Sequence, residues 1–323
     1  MQPWLTDWDG VHKAMNILHI VGGNLSGGAA RGAYWLHQGL LELGVESRLF
    51  CNSRETHGDS TVTTIAGDKQ GKLKALLRGQ ADAALQAVYR NRQKVSFSTG
   101  FFGYDFTRTQ AYHESDVIHL HWICGGMVNM RHLGKVNKPL VWTMRDMWPM
   151  TGGCHYSMDC DQYKTGCGQC PQLSSNRKRD LSRWVWKRKR KYIPAQAKLV
   201  GISRWLSDCA RQSALFGDFD VQTIHNNVST QDFFPVEKSA ARQMLGLATD
   251  RPVVLAGAHS LESFYKGFDL YLQAIQQLES DTLFVFFGSL DKQAVESLDC
   301  DYVSMGFLYD TVSLRLVYSA ADV

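Results

Sequence analysis

Short runs of β-branched and aliphatic residues recur along this chain, each followed by a turn and then by a helical period. Residues 17–21 (ILHIV) lead into a glycine-rich turn and an apolar stripe at Trp35, Leu36, Leu40 and Leu43, ended by Gly44. The series continues at 45–51, 117–121 (VIHLH), 140–144 (LVWTM), 199–202 (LVGI) and 221–225 (VQTIH). A second series follows at 253–256 (VVLA), 283–287 (LFVFF) and 303–307 (VSMGF). Strands alternating with helices predict an α/β chain whose parallel sheets are covered by helices on both faces. The polar stretch 226–237 (NNVSTQDFFPVE), which ends near a proline, reads as a linker between two doubly wound domains, 15–225 and 238–323. Residues 1–14 read as an extension, and 69–92 as a helical pair. About three strands precede the last residue, Val323, and SAADV has the pattern of a strand entry, so a truncated second domain is expected.

At 323 residues there is enough chain for two real cores, and 44% apolar with 20% charged residues excludes a disordered protein. No run approaches the roughly 20 apolar residues that cross a bilayer. Acids and a histidine interrupt the N-terminal stretch where a signal peptide would be apolar. A cytoplasmic protein is expected, in which disulfides are not the default.

The loop GGNLSGGAAR (22–31) joins the first strand to the first helix but fits neither common nucleotide fingerprint. Asn24 and Leu25 break Gly-x-Gly-x-x-Gly, and no lysine stands at the Walker position. Without Cβ atoms at Gly27 and Gly28 the backbone can approach a ligand closely, and helix-start amides favour an anion there. A plain strand-to-helix turn is the alternative. In DVIHLHW, alternation puts His119 and His121 on one side of a strand. His119 reads as a core histidine. His121 falls at the carboxyl end, where open parallel sheets bind ligands, and Arg145 and Asp146 reach the same rim from the next strand.

Four of the eight cysteines lie within 151–171: Cys154, Cys160, Cys167 and Cys170. The last pair has zinc-knuckle spacing and the first does not, so structural zinc, disulfide or redox pairing, and packed thiols all stand open, with His155 an alternative ligand. Just beyond, 177–191 holds nine Lys or Arg and one acid, a local balance of +8 in a chain of net +4. Leu181, Trp184 and Val185 would share one helical face there. Cations with interfacial aromatics suit an anionic membrane surface; a solvated helix face and nucleic-acid binding are the rivals.

Taken together, the Gly-Gly loop, DVIHLHW, VGIS (200–203), HNNVSTQDFFP (225–235) and YKGFDLYLQAI (265–275) resemble the retaining, family-4 nucleotide-sugar glycosyltransferases of GT-B fold. VWTMRDMWPMTGGCHYSMDCDQYKTGCGQCP resembles a cysteine-bearing subgroup of exopolysaccharide and lipopolysaccharide assembly. The resemblance implies two Rossmann-like domains facing a cleft, the second incomplete here. It also implies a nucleotide-diphosphate sugar donor and a saccharide or polyprenyl-linked saccharide acceptor at the cytoplasmic membrane face. Gly27 and Gly28 would offer amides to the donor, Lys266 with Gly267 would meet the leaving phosphate, and His121 would contact the sugar. No metal is implied for the transfer, and no nucleic acid is expected as a partner. Two features depart from the family. Ser260, or His259 with a shifted loop, stands where the family often has an arginine, and the Glu-x7-Glu element would lie beyond Val323. An inactive acceptor- or membrane-binding module and a zinc-containing nucleic-acid-binding protein are the competing expectations.

Overall fold

The computed structural model describes residues 15–323, apart from 24, 26, 53–55, 57, 248–249, 261–263, 278–280, 290–294, 296–299 and 309. It forms two compact units, Met1–Asn227 and Val228–Val323.

The first unit is built on seven parallel strands: β1 (Ile17–Val21), β2 (Ser47–Cys51), β3 (Val62–Thr64), β4 (Val117–Leu120), β5 (Leu140–Met144), β6 (Lys198–Gly201) and β7 (Val221–Thr223). Their order across the sheet is β3-β2-β1-β4-β5-β6-β7, so the direction of winding reverses between β1 and β4. At such a switch point the two flanking loops part and leave room for a ligand. The helices are α1 (Gly28–Glu42), α2 (Lys69–Ala84), α3 (Gln110–Glu114), α4 (Leu181–Tyr192) and α5 (Arg204–Gln212). Strands such as β1 and β5 are buried along nearly their whole length, as a sheet covered on both faces requires.

Trp142, Trp148, Phe106 and Phe216 are the largest fully buried apolar side chains of the core. The Trp142 indole donates to the His121 carbonyl at 2.9 Å, which satisfies the ring's one polar atom and pins the end of β4.

The second unit holds α6 (Lys238–Met244), three parallel strands in the order β10-β9-β8 and two further helices. The strands are β8 (Val253–Ser260), β9 (Leu283–Ser289) and β10 (Tyr302–Ser304); the helices are α7 (Phe268–Ile275) and α8 (Thr311–Ala320). After α8, the Asp322 amide donates to the Val253 carbonyl and the Leu255 amide to the Val323 carbonyl, both at 2.8 Å, at the open edge of β8. The Asp322 carboxylate accepts from the Val253 amide and pairs with Arg242 at 2.6 Å.

Three sequence expectations change. The 69–92 stretch is one helix, Lys69–Ala84, followed by turns, and β3 was not expected. On α1 the fully buried positions are Ala30, Gly32, Ala33 and His37, while Leu43 is exposed. Gly32 faces the Arg145 side chain, just past β5, and His37 meets His19 of β1.

Candidate functional site

At the carboxyl ends of β1 and β4 the backbones almost touch. The Gly22 amide donates to the Trp122 carbonyl at 2.5 Å, and a Cβ on Gly22 would stand 2.6 Å from the Cys124 carbonyl oxygen. Only glycine allows this approach without moving main chain. Asn52, just past β2, ties the same region down by accepting from the Gly23 amide at 2.7 Å.

Gly27 is the N-cap of α1, in extended conformation and without a side-chain capping bond. Nothing lies within 4 Å of where a Gly28 Cβ would be. The first turn of a helix carries backbone donors in the dipole direction that favours an anion. Asn24 and Ser26 lie outside the described residues.

Beneath α1 lies a stack of imidazoles that links the strands. His19 of β1 pairs in register with His119 of β4, and the rings of His19, His119 and His121 lie 4.3–5.2 Å apart by centroid. His121 is buried, with both ring nitrogens engaged: Nε2 stands 2.9 Å from His19 Nδ1, and Arg145 Nη2 stands 3.2 Å from His121 Nδ1. Guanidinium has no acceptor, so His121 Nδ1 accepts and, in the neutral ring, Nε2 carries the hydrogen. His19 Nδ1 then accepts that hydrogen, and the remaining proton of His19 sits on Nε2, a buried atom with no hydrogen-bond partner among the described residues. His119 Nε2 bonds Thr143 Oγ1 at 2.8 Å. His37 of α1 meets His19 edge-on at 5.9 Å and is itself held between Ser47 and Thr61.

Burial holds the His19 and His121 rings well below the ordinary imidazole value, with their neighbours adding to the shift. Burial, then Arg145, brings His119 down to about 3. Arg145 is lowered by burial to about 10 and stays a cation at neutral pH. The cluster is three neutral rings and one fixed positive charge.

The acid sensitivity follows from sign. An unfolded chain protonates these histidines near pH 6.5, whereas the folded chain resists down to the depressed values. The unfolded state therefore binds more protons in that window, and stability falls as pH falls through it. The slope is about 1.4 kcal/mol per pH unit for each histidine concerned. Urea unfolding at pH 7.5 and pH 5.5 checks this: a lower midpoint at pH 5.5 is expected, and equal midpoints would refute it.

Arg145 also donates to Asn226, and Gly32 of α1 lies against it, with a Cβ there falling 2.6 Å from Nη1. Asp146 is not a free rim carboxylate. Its Oδ1 accepts from the Trp148 amide at 2.9 Å, and its Oδ2 from Trp122 Nε1 at 3.1 Å and from His155 Nδ1 at 2.6 Å. The other nitrogen of His155 bonds Ser98 Oγ at 3.0 Å. With both nitrogens taken, His155 is withdrawn as an alternative metal ligand.

Cys154, Cys160, Cys167 and Cys170 line one small cavity and none is in a disulfide. In α4 the buried face is Ser182, Val185, Trp186 and Lys189, while Trp184 is 63% exposed. The expected Leu181–Trp184–Val185 face is thus shifted. Arg177, Lys178, Arg179, Lys187, Arg190 and Lys191 remain exposed.

Lys266 and Gly267 belong to the second unit. Lys266 is exposed, 5.6 Å from the Tyr265 ring, and among the described residues its ammonium has no ion pair. Gly267 takes φ 68° as the N-cap of α7. The His259 and Ser260 side chains lie outside the described residues.

Two cavities, of about 760 and 710 Å³, lie elsewhere on the first unit. One lies along β2, β3 and α2. The other gathers residues at the amino-terminal starts of β1, β2 and β4, the end opposite to where parallel sheets bind ligands. They share Arg48 and Glu114, which pair with each other at 2.6 Å. His19, His37 and Lys189 are the residues that sequence reasoning passed over; the strand order, which sets β1 beside β4, is the signal that would have joined His19 to His119 and His121.

No protein-family model matches the chain. Over 165 residues, 50% of this chain, it is 29% identical to "Putative colanic acid biosynthesis glycosyl transferase WcaC" of Escherichia coli (strain K12). That stretch spans 40% of the relative's own length. Among solved structures it is similar to a glycosyltransferase from Rickettsia africae ESF-5, with TM-score 0.56 and 12% identity over 96% of this chain and 72% of that one. It is also similar to Anabaena Alr3699/HepE, solved in complex with UDP-glucose, with TM-score 0.56 and 15% identity over 95% and 72% of the two chains. At these identities the likeness is one of fold: the chain has the α/β architecture of GT-B glycosyltransferases. Among the described residues no helix is long and apolar enough to cross a membrane.

Proposed function

We propose that this chain moves a sugar, with retention of configuration, from a nucleoside-diphosphate donor to a saccharide acceptor in surface-polysaccharide synthesis. One observation carries the reading. At the β1/β4 switch point, the start of α1 at Gly27–Gly28 lies one turn from Gly32, which rests on an Arg145 fixed by His121. The E. coli relative's printed name, and the UDP-glucose held by the Anabaena protein, support a nucleotide-sugar donor.

In such a transfer, negative charge grows on the leaving diphosphate, and donors already aimed there lower the barrier without reorganising. Gly27 and Gly28 supply backbone donors in this reading, and Lys266, followed by Gly267, a compact cation from the second unit. Both nitrogens of His121 are bonded within the protein. It therefore acts on the sugar through Arg145, or by exchanging one of those bonds when sugar arrives. The test is release of nucleoside diphosphate from a panel of nucleotide sugars, with lipid-linked saccharide extract as acceptor and the product's anomeric configuration read by NMR. Acceptor-dependent release with retention is expected. No turnover of any donor, or an inverted product, would overturn the proposal.

The acceptor in this reading is held at an anionic cytoplasmic membrane face, met by the exposed cations of 177–191 beside Trp184. Co-sedimentation with phosphatidylglycerol vesicles, and not with phosphatidylcholine vesicles, is expected. It should weaken several-fold on neutralising Lys187, Arg190 and Lys191 together. Equal binding to both vesicles, or preference for nucleic acid, would contradict it.

A further inference from the structure

We propose that Cys154, Cys160, Cys167 and Cys170 together hold one zinc ion that closes the 151–171 loop; nothing in the glycosyl-transfer reading is needed for it. All four line a single cavity of about 20 Å³, room for one small ion, and they are free of disulfides. Four sulfurs around one centre suit tetrahedral zinc.

The backbone is shaped around the sulfurs. The Gly152 amide donates to Cys167 Sγ at 3.1 Å. Such an N–H donor favours thiolate, the form a metal binds. Among the described residues, the non-glycine residues with positive φ are Met158, Cys167, Gln169 and Ser174, all in or beside this loop. Left-handed conformation at such residues costs about 1–3 kcal/mol each and persists only where something else fixes the chain. A metal centre supplies such a constraint.

The strongest observation is the charge facing the loop. Lys189 is fully buried in α4, its ammonium bonded to the carbonyls of Trp148 and Thr151 and stacked 3.7 Å over the Trp148 ring. Among the described residues no carboxylate forms an ion pair with it; the Cys124, Cys154 and Cys167 sulfurs and the Asp146 carboxylate lie within its electrostatic reach. A buried cation with no ion-paired partner is costly, and Asp146, held by Trp122, Trp148 and His155, offsets it without touching it. Four thiolates around Zn²⁺ carry a net charge of −2 and answer it; disulfides or thiols would carry none. Binding releases the four thiol protons to solvent as four Zn–S bonds form, with no change of oxidation state.

The rival metal site is weaker. Among the described residues the histidine stack is the group of three whose ligand atoms all lie within 4.8 Å of one another; no three of the four sulfurs do, so zinc would draw them inward. The imidazoles, however, are stacked, His19 Nδ1 and His121 Nε2 bond each other, and the Arg145 cation occupies His121 Nδ1. That arrangement repels an ion.

The experiment is metal analysis and native mass spectrometry of the purified chain after equilibration with zinc chloride and removal of the excess. Thiol alkylation is followed before and after a chelator with a mercurial. One zinc per chain is expected, with the four loop cysteines protected until the metal is released. Cys300→Ser should keep the zinc, and Cys160→Ser should lose it or bind it at least tenfold more weakly. If Cys160→Ser does not fold, alkylation of the unaltered protein decides alone. Loop cysteines that alkylate freely in the presence of zinc, or recovery of 154–170 as disulfide-linked peptides, would overturn the proposal, as would stoichiometric iron in place of zinc.

Discussion

Asp146→Ala is expected to lower the stability of the first unit by about 3–5 kcal/mol. Its carboxylate accepts hydrogen bonds from the Trp148 amide, the Trp122 indole and the His155 ring. Alanine leaves all three donors without an acceptor in a largely buried setting, and each orphaned donor costs about 1–3 kcal/mol. These donors come from the exits of β4 and β5 and from the cysteine loop, so the loss loosens the whole rim. All nine tryptophans precede Asn227, and fluorescence-monitored urea unfolding therefore reports the first unit alone. A change below about 1 kcal/mol would mean that Asp146 is not the tie described here.

Lys266→Ala is expected to lower kcat about 100-fold or more, the scale seen when one preorganised charge or donor is removed from a transition state. The side chain is exposed and, among the described residues, unpaired, so its removal should leave the urea midpoint unchanged. Wild-type turnover in the variant would remove Lys266 from the leaving-group site. A parallel loss of stability would show a structural role instead.

Much of the fold was legible because parallel strands buried on both faces are written as short continuous apolar runs. The expected strands 17–21 and 140–144 match β1 and β5 residue for residue. β3 escaped because its three residues, VTT, sit at a sheet edge and bury one side chain. The site was legible in part. Rim positions can be read from strand ends, which is how His121, Arg145 and Asp146 drew attention. What those side chains bond to cannot be, since His19 and His119 meet across two strands about a hundred residues apart. A histidine inside ILHIV looks like any core residue until its register partner is known. Lys189 was hidden for another reason: within KRKRK nothing in composition separates the one lysine turned inward from its solvated neighbours. The i, i+3, i+4, i+7 row of Ser182, Val185, Trp186 and Lys189 does so once the helix is packed.

The most direct test is a titration of isotopically labelled protein with UDP and UDP-glucose, following the backbone amides of Gly27, Gly28 and Ala29 by NMR together with the Arg145 guanidinium. Saturable shifts at these groups are expected, with little change around Arg48, Lys74 and Arg78 in the cavity of about 760 Å³. Shifts confined to that cavity, or none at the start of α1, would contradict the placement of the donor site at the β1/β4 switch point.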